Sequence, residues 1–166
     1  MDPQAIIENF RRNVMEHYFD MTGRVGRPEF WYFVLAGFVV QLAAGIIGSF
    51  IPLVASLVGL ALLLPYAGMG ARRLQDTGKN GQLVWLLIVP TALYQLIALM
   101  AVAAGPLGAV GFLFFFLSIG WLISLCLLIA AGVMIYFWVQ PGQAEANQYG
   151  AVPPVFDPAT PPAKPA

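Results

Sequence analysis

Charged residues are absent from two long stretches of this chain, residues 30–71 and 80–144, and apolar side chains fill both. A charged side chain at the centre of a bilayer costs about 2.5–3.5 kcal/mol on insertion scales, so runs of this kind mark segments that live in lipid. A helix rises about 1.5 Å per residue and needs about 20 residues to cross the hydrocarbon. The first stretch therefore predicts two spans, near residues 29–48 and 53–74, with Gly48-Ser49-Phe50-Ile51-Pro52 as the turn. The second opens with Asn80-Gly81 and predicts a span near residues 83–103, broken by Gly105-Pro106-Leu107-Gly108. Residues 107–139 are too long for one upright helix and too short for two good ones. They predict one tilted or kinked span with Gly111 and Gly120 as candidate bends, a fifth span being the alternative.

The first twenty positions carry a different rhythm. Asp2-Pro3 is a helix opening, and Ile6, Ile7, Phe10, Val14 and Tyr18 then recur at three- and four-residue steps, with charges mostly between them. This predicts an amphipathic helix lying on a face of the membrane or of the bundle. Residues 153–166 are rich in proline and poor in apolar mass, which predicts disorder. The fold class that follows is all-α: a polytopic four-helix transmembrane bundle with an N-terminal amphipathic helix and a disordered Pro-rich tail. Its expected division is an interfacial helix over residues 1–22, a four-span domain over 23–140 and a disordered tail over 141–166.

Composition agrees, with 60% hydrophobic and only 10% charged residues; soluble domains carry about a quarter charged. A formal net charge of zero gives no global field to recruit nucleic acid. The single cysteine, Cys126, excludes an intrachain disulfide and reads as a packing residue. Orientation follows from the cations. Arg11, Arg12, Arg24 and Arg27 precede the first span, and Arg72, Arg73 and Lys79 fill the connection between the second and third. The positive-inside rule then makes that side, and both termini, cytoplasmic.

Polar residues gather at this boundary in three segments: Gly23-Arg24-Val25-Gly26-Arg27-Pro28-Glu29-Phe30-Trp31, then Arg72-Arg73-Leu74-Gln75-Asp76-Thr77-Gly78-Lys79-Asn80-Gly81, then Asn147-Gln148-Tyr149-Gly150. Together they resemble the three signatures of the bacterial inner-membrane family known as domain of unknown function 805. Gly23, Arg24, Arg27, Glu29, Phe30 and Trp31 match the first signature, which reads roughly F-x-G-R-x-x-R-x-E-F-W. Arg73, Leu74, Asp76, Thr77, Gly78, Lys79 and Gly81 match the second, R-x-L-H-D-T-G-[RK]-S-G-W. Asn147, Tyr149 and Gly150 match the third, N-x-Y-G. Met21 stands where the family has Phe, Gln75 where it has His and Gln82 where it has Trp; Gln75 removes an imidazole that acid–base chemistry would need. The resemblance implies a four-span protein of the bacterial inner membrane with a cytoplasmic N-terminus, and it implies no activity.

The candidate site is thus Arg24, Arg27, Glu29, Arg72, Arg73, Asp76, Lys79, Asn147 and Tyr149, read either as a structural cluster or as a ligand site. Glu29 and Asp76 are the acids placed to pair with Arg24, Arg27, Arg72 or Arg73 in an ion-pair lock. The other reading is an anion site for a lipid head group or phosphate, cradled by arginine forks. No catalytic residues are assigned, since no Ser/His or Cys/His arrangement exists. No metal site or cofactor is expected with one His, His17, and one Cys. Within the spans Gln41, Gln95 and Ser124 are expected to bond neighbouring helices, and small residues such as Gly37 and Gly45 or Ala67 and Ala71 to let helices approach closely. The function class expected is a non-enzymatic interaction or scaffold protein whose partners are membrane lipids, a second copy or another membrane protein. A small channel or transporter is the alternative, and a lipid-modifying enzyme the third reading.

Overall fold

A computed structural model describes residues 3–51 and 53–157. Among the described residues six α-helices follow one another: α1 (Pro3–Met15), α2 (Arg27–Gly48), α3 (Leu53–Asp76), α4 (Trp85–Ala103), α5 (Gly105–Phe115) and α6 (Trp121–Val139). A 3-10 turn, Gly81–Val84, leads into α4, and a π-helical turn, Phe116–Gly120, joins α5 to α6. Four stretches among the described residues are long and apolar enough to cross a membrane: Arg27–Gly48, Leu53–Asp76, Gly81–Ala103 and Gly105–Val139. The last is α5 and α6 run together, so the long apolar run forms one span interrupted by a π turn that ends at Gly120. The hydroxyls of Ser118 and Ser124 donate to the carbonyls of Phe115 and Gly120 at 2.9 Å each, supplying donors to backbone that lipid cannot satisfy. Ser124 therefore bonds its own helix rather than a neighbour.

Helix α3 is the hub, touching α1, α2, α4 and α6. Its second half is buried almost without a break from Ala67 to Leu74, because Gly68 and Gly70 let backbone and rings come close. A Cβ at Gly68 would stand 2.8 Å from the Asp20 carbonyl oxygen, and one at Gly70 would stand 2.9 Å from the Trp138 ring. Pro65 sits inside this helix and has no N–H to give the Ala61 carbonyl. The Tyr18 hydroxyl donates to that carbonyl at 2.6 Å and restores the lost bond. Two apolar clusters pack around the same half of α3. Phe30, Phe33, Val25 and Met69 form one, and Ala67, Ala71, Leu74, Val84, Ile88 and Met134 the other, with Tyr66 and Trp138 against both.

Two regions differ from their sequence expectations. Helix α1 turns Ala5, Asn9 and Asn13 to the bundle, while Ile7, from the predicted apolar stripe, stays 64% exposed. Phe10 and Val14 of the same stripe pack on the Phe30 and Phe33 cluster, so the docked face combines polar bonding with apolar contact. Residues 141–151, expected to be part of a disordered tail, are bonded onto the basic end of the bundle, because that end offers unsatisfied donors, as described below. Beyond them Phe156 rests on Tyr32, and the proline-rich residues 158–166 lie outside the described residues.

Candidate functional site

The C-terminus of a helix leaves its last carbonyls without intrahelical donors and carries the negative end of the dipole. At the end of α6, arginines supply the donors. Arg73 Nε donates to the Trp138 carbonyl at 2.9 Å and its Nη2 to the Gln140 carbonyl, while Arg27 Nη1 reaches the Val139 carbonyl at 3.4 Å. Arg73 is fully buried, and its Nη1 donates to Asp76 Oδ2 one helical turn further along α3.

Asp76 is shared. Its Oδ1 accepts from Arg24 Nε at 3.0 Å and lies 2.9 Å from Arg24 Nη2, the Arg24 and Asp76 side chains being only 1% and 4% exposed. One carboxylate thus stands between two guanidinium forks from different elements. The rest of the Arg24 fork is taken by backbone: Nη1 donates to the carbonyls of Glu145 and Gly150 at 2.8 and 3.3 Å, and Nη2 to that of Gln143 at 2.6 Å. The Asp76 carbonyl accepts from Gln143 N–H at 2.9 Å. A Cβ at Gly142 would overlap Asp76 Oδ2, so the chain closes over the carboxylate because Gly142 has no side chain.

The third motif is fastened to the same place. Asn147 Nδ2 donates to the Gln75 carbonyl at 2.9 Å and to Gln143 Oε1 at 2.7 Å. Its Oδ1 accepts from the Tyr149 amide at 2.9 Å, so Tyr149 takes part here through its backbone. Asn147 and Gly150 pair reciprocally at 3.0 Å in a tight turn, and Gly150 holds φ at 133°, where a side chain would be strained.

The remaining members lie apart from this knot. Glu29 pairs with Arg12 of α1 at 2.7 Å and not with an arginine of the named cluster. The reason is position: α1 crosses the start of α2, and Asn9 Nδ2 donates to the Glu29 carbonyl at 3.1 Å. Arg72 turns toward α1 and away from the knot. It is 8% exposed, donates to Asn13 Oδ1 at 2.7 Å, lies 3.1 Å from Met69 Sδ, and its Nε has no partner among the described residues. Lys79 places its ammonium 4.7 Å from the centre of the Phe137 ring. Nearby, the Thr22 hydroxyl, the Thr22 amide and the Arg72 charge hold the Asp20 carboxyl below the usual range, against the opposing pull of partial burial.

The sequence reading did not place Asn9, Asn13, Arg12 or Gln143 in the candidate site. The signal for the first two is the four-residue step Ala5, Asn9, Asn13, a small-polar-polar line on one helical face, bonded within itself by Asn13 Nδ2 to Asn9 Oδ1 at 2.9 Å. Among the described residues no three His, Cys, Asp or Glu side chains come together where they could hold a metal ion.

Four apolar spans, three of them tied at one end by a buried Arg–Asp–Arg knot, define a polytopic helical membrane protein. The profile of the family described as "Protein of unknown function (DUF805)" matches residues 18–151, and the chain belongs to that family. It is similar to the inner membrane protein YhaI of Escherichia coli K12, 28% identical over 145 residues that cover 85% of this chain and 92% of that protein. It is also similar to the inner membrane protein YhaH of the same strain, 23% identical over 103 residues, 57% of this chain and 85% of that one. No solved structure matches the chain significantly. It is a multi-pass protein of the inner membrane.

Proposed function

We propose that the protein is a non-enzymatic scaffold of the inner membrane with both termini in the cytoplasm, whose boundary arginines are structural and whose outlying cations hold anionic lipid. One observation carries this reading: Arg24 and Arg73 direct their donors to Asp76 and to backbone carbonyls of residues 138–150, so their forks are engaged within the chain. A phosphate would have to displace those bonds to use them. Arg11 and Arg27 are exposed at the same end and lie outside the Asp76 knot, Arg11 pairing at the surface with Glu8 and Arg27 making one long bond of 3.4 Å to the Val139 carbonyl. Lateral association is supported by the outer spans, Gly81–Ala103 and Gly105–Val139, which have only 6% of their windows buried within the chain.

The test is lipid retention. The purified protein is presented with phosphatidylglycerol and phosphatidylethanolamine and read by native mass spectrometry. Each surface cation contributes about 1 kcal/mol to anionic binding, or about fivefold. Arg11→Gln with Arg27→Gln is expected to lower phosphatidylglycerol retention by that order per residue and leave thermal stability near wild type. Unchanged retention in this variant, with loss in Arg24→Gln at intact stability, would return the ligand to the buried cluster. In-membrane crosslinking through single cysteines on α4 and α6 tests the scaffold: a self-adduct or a defined second protein supports it, and monomer alone opposes it.

A further inference from the structure

Midway along the spans, far from the arginine knot, two carboxamides converge on one bare backbone position. A Cβ at Gly59 of α3 would stand 2.8 Å from Gln95 Oε1 of α4 and 3.5 Å from Gln41 Oε1 of α2. The Gln41 amide spends an N–H on the Ala55 carbonyl at 3.1 Å. Gln95 Oε1 is buried and has no hydrogen-bond partner among the described residues. Beside these oxygens lies a cavity of about 430 Å³ walled by Phe38, Leu62, Leu63 and Tyr66. A second hollow of about 230 Å³ shares Gln41, Gly59 and Gln95 and extends to Ser56. Buried acceptors in proteins are nearly always matched by a donor, and the pressure to match one is greater where lipid replaces water.

We propose that this cleft between α2, α3 and α4 binds a neutral amphiphile of the long-chain alcohol class, its chain lying along Phe38, Leu62 and Leu63 and its hydroxyl donating to Gln95 Oε1 as the carboxamide, closed to solvent in this structure, turns toward the hollow. Three features choose the class. An acceptor with no partner calls for a donor. The walls are otherwise apolar, which suits a hydrocarbon chain. No residue lining either hollow is ionisable at neutral pH, and a carboxylate or ammonium at this depth would be left without a counter-charge. A half-turn of the Gln95 amide would present its NH₂ in place of Oε1, and the ether, which only accepts, would then compete as well as the alcohol.

The full chain in liposomes is labelled with a photoreactive diazirine dodecanol and the adducts are mapped by mass spectrometry. Competitors are dodecanol and dodecyl methyl ether, which keeps the oxygen but lacks the donor. The expected result is labelling concentrated on the walls formed by α2, α3 and α4, displaced by dodecanol at least tenfold better than by the ether. Gln95→Leu, which keeps bulk and removes the acceptor, is expected to abolish that preference. The two competitors on the wild-type chain decide the matter even if the variant does not fold. Equal competition, labelling spread over all lipid-facing helices, or wall residues shielded by a second copy would each overturn the proposal.

Discussion

Arg24 and Asp76 stand 52 positions apart in the chain and meet at 2.9 Å with almost no solvent between them and the protein. Because Asp76 also holds Arg73, one carboxylate joins the loop before α2, the end of α3 and, through the arginines, the end of α6.

Loss of that carboxylate leaves two guanidinium groups buried and uncompensated. Asp76→Asn is expected to destabilise the detergent-purified protein by about 3–5 kcal/mol, the usual cost of breaking a buried ion pair from one side. The double variant with Arg24→Gln is expected to cost less than the two single changes added together, with a coupling of about 0.5–3 kcal/mol. Thermal or denaturant unfolding of the four proteins in the cycle measures this. Additive effects would show that the two side chains are solvated separately.

Helix α1 is held by polar contacts as well as by Phe10 and Val14, and its attachment should depend in part on Asn13. Removing Asn13 Oδ1 takes an acceptor from Arg72, whose Nε is already unpartnered. Asn13→Ala is expected to cost about 1–3 kcal/mol and to raise the rate of proteolytic cleavage between residues 16 and 22. Ile7→Ser, on the exposed face of the same helix, should leave both quantities near wild type in detergent.

Two glycines make a matched pair. A Cβ at Gly142 would overlap Asp76 Oδ2, whereas one at Gly132 in α6 meets nothing within 4 Å. Gly142→Ala is expected to destabilise by about 1–3 kcal/mol through overpacking. Gly132→Ala should be neutral, or stabilising by up to about 1 kcal/mol from helix propensity. Melting temperatures of the two variants check the contrast, and equal effects would mean that residues 141–143 can lift away from Asp76 at little cost.

Orientation has its own test. With every cation of the loops on one side, reporter fusions at Val14 and Val155 are both expected to report cytoplasm. An external report from Val155 alone would divide residues 105–139 into two spans.

The number of spans, their approximate limits and the basic end were legible in the sequence. Charge is excluded from lipid residue by residue, and a helix must reach a set length, so both constraints act locally. The three boundary motifs were legible for the same reason: polar residues collect where the spans meet water. Their pairing was legible only in part: Asp76 does meet Arg24 and Arg73, two of the arginines the sequence placed against it. Whether Glu29 meets Arg24 or Arg12, and whether Arg72 meets a carboxylate or Asn13, depends on how helices rotate about α3, and that follows from the contacts at Gly68 and Gly70. The docking face of α1 was legible in part: Phe10 and Val14 of the apolar stripe do pack on the bundle, but hydrophobic spacing says nothing of a buried arginine that needs the Asn13 acceptor. Residues 141–151 have the composition of a loose tail. Only in the folded bundle do the donors of Arg24 and Arg73 need their carbonyls, and that need, made by tertiary structure, holds the segment in place.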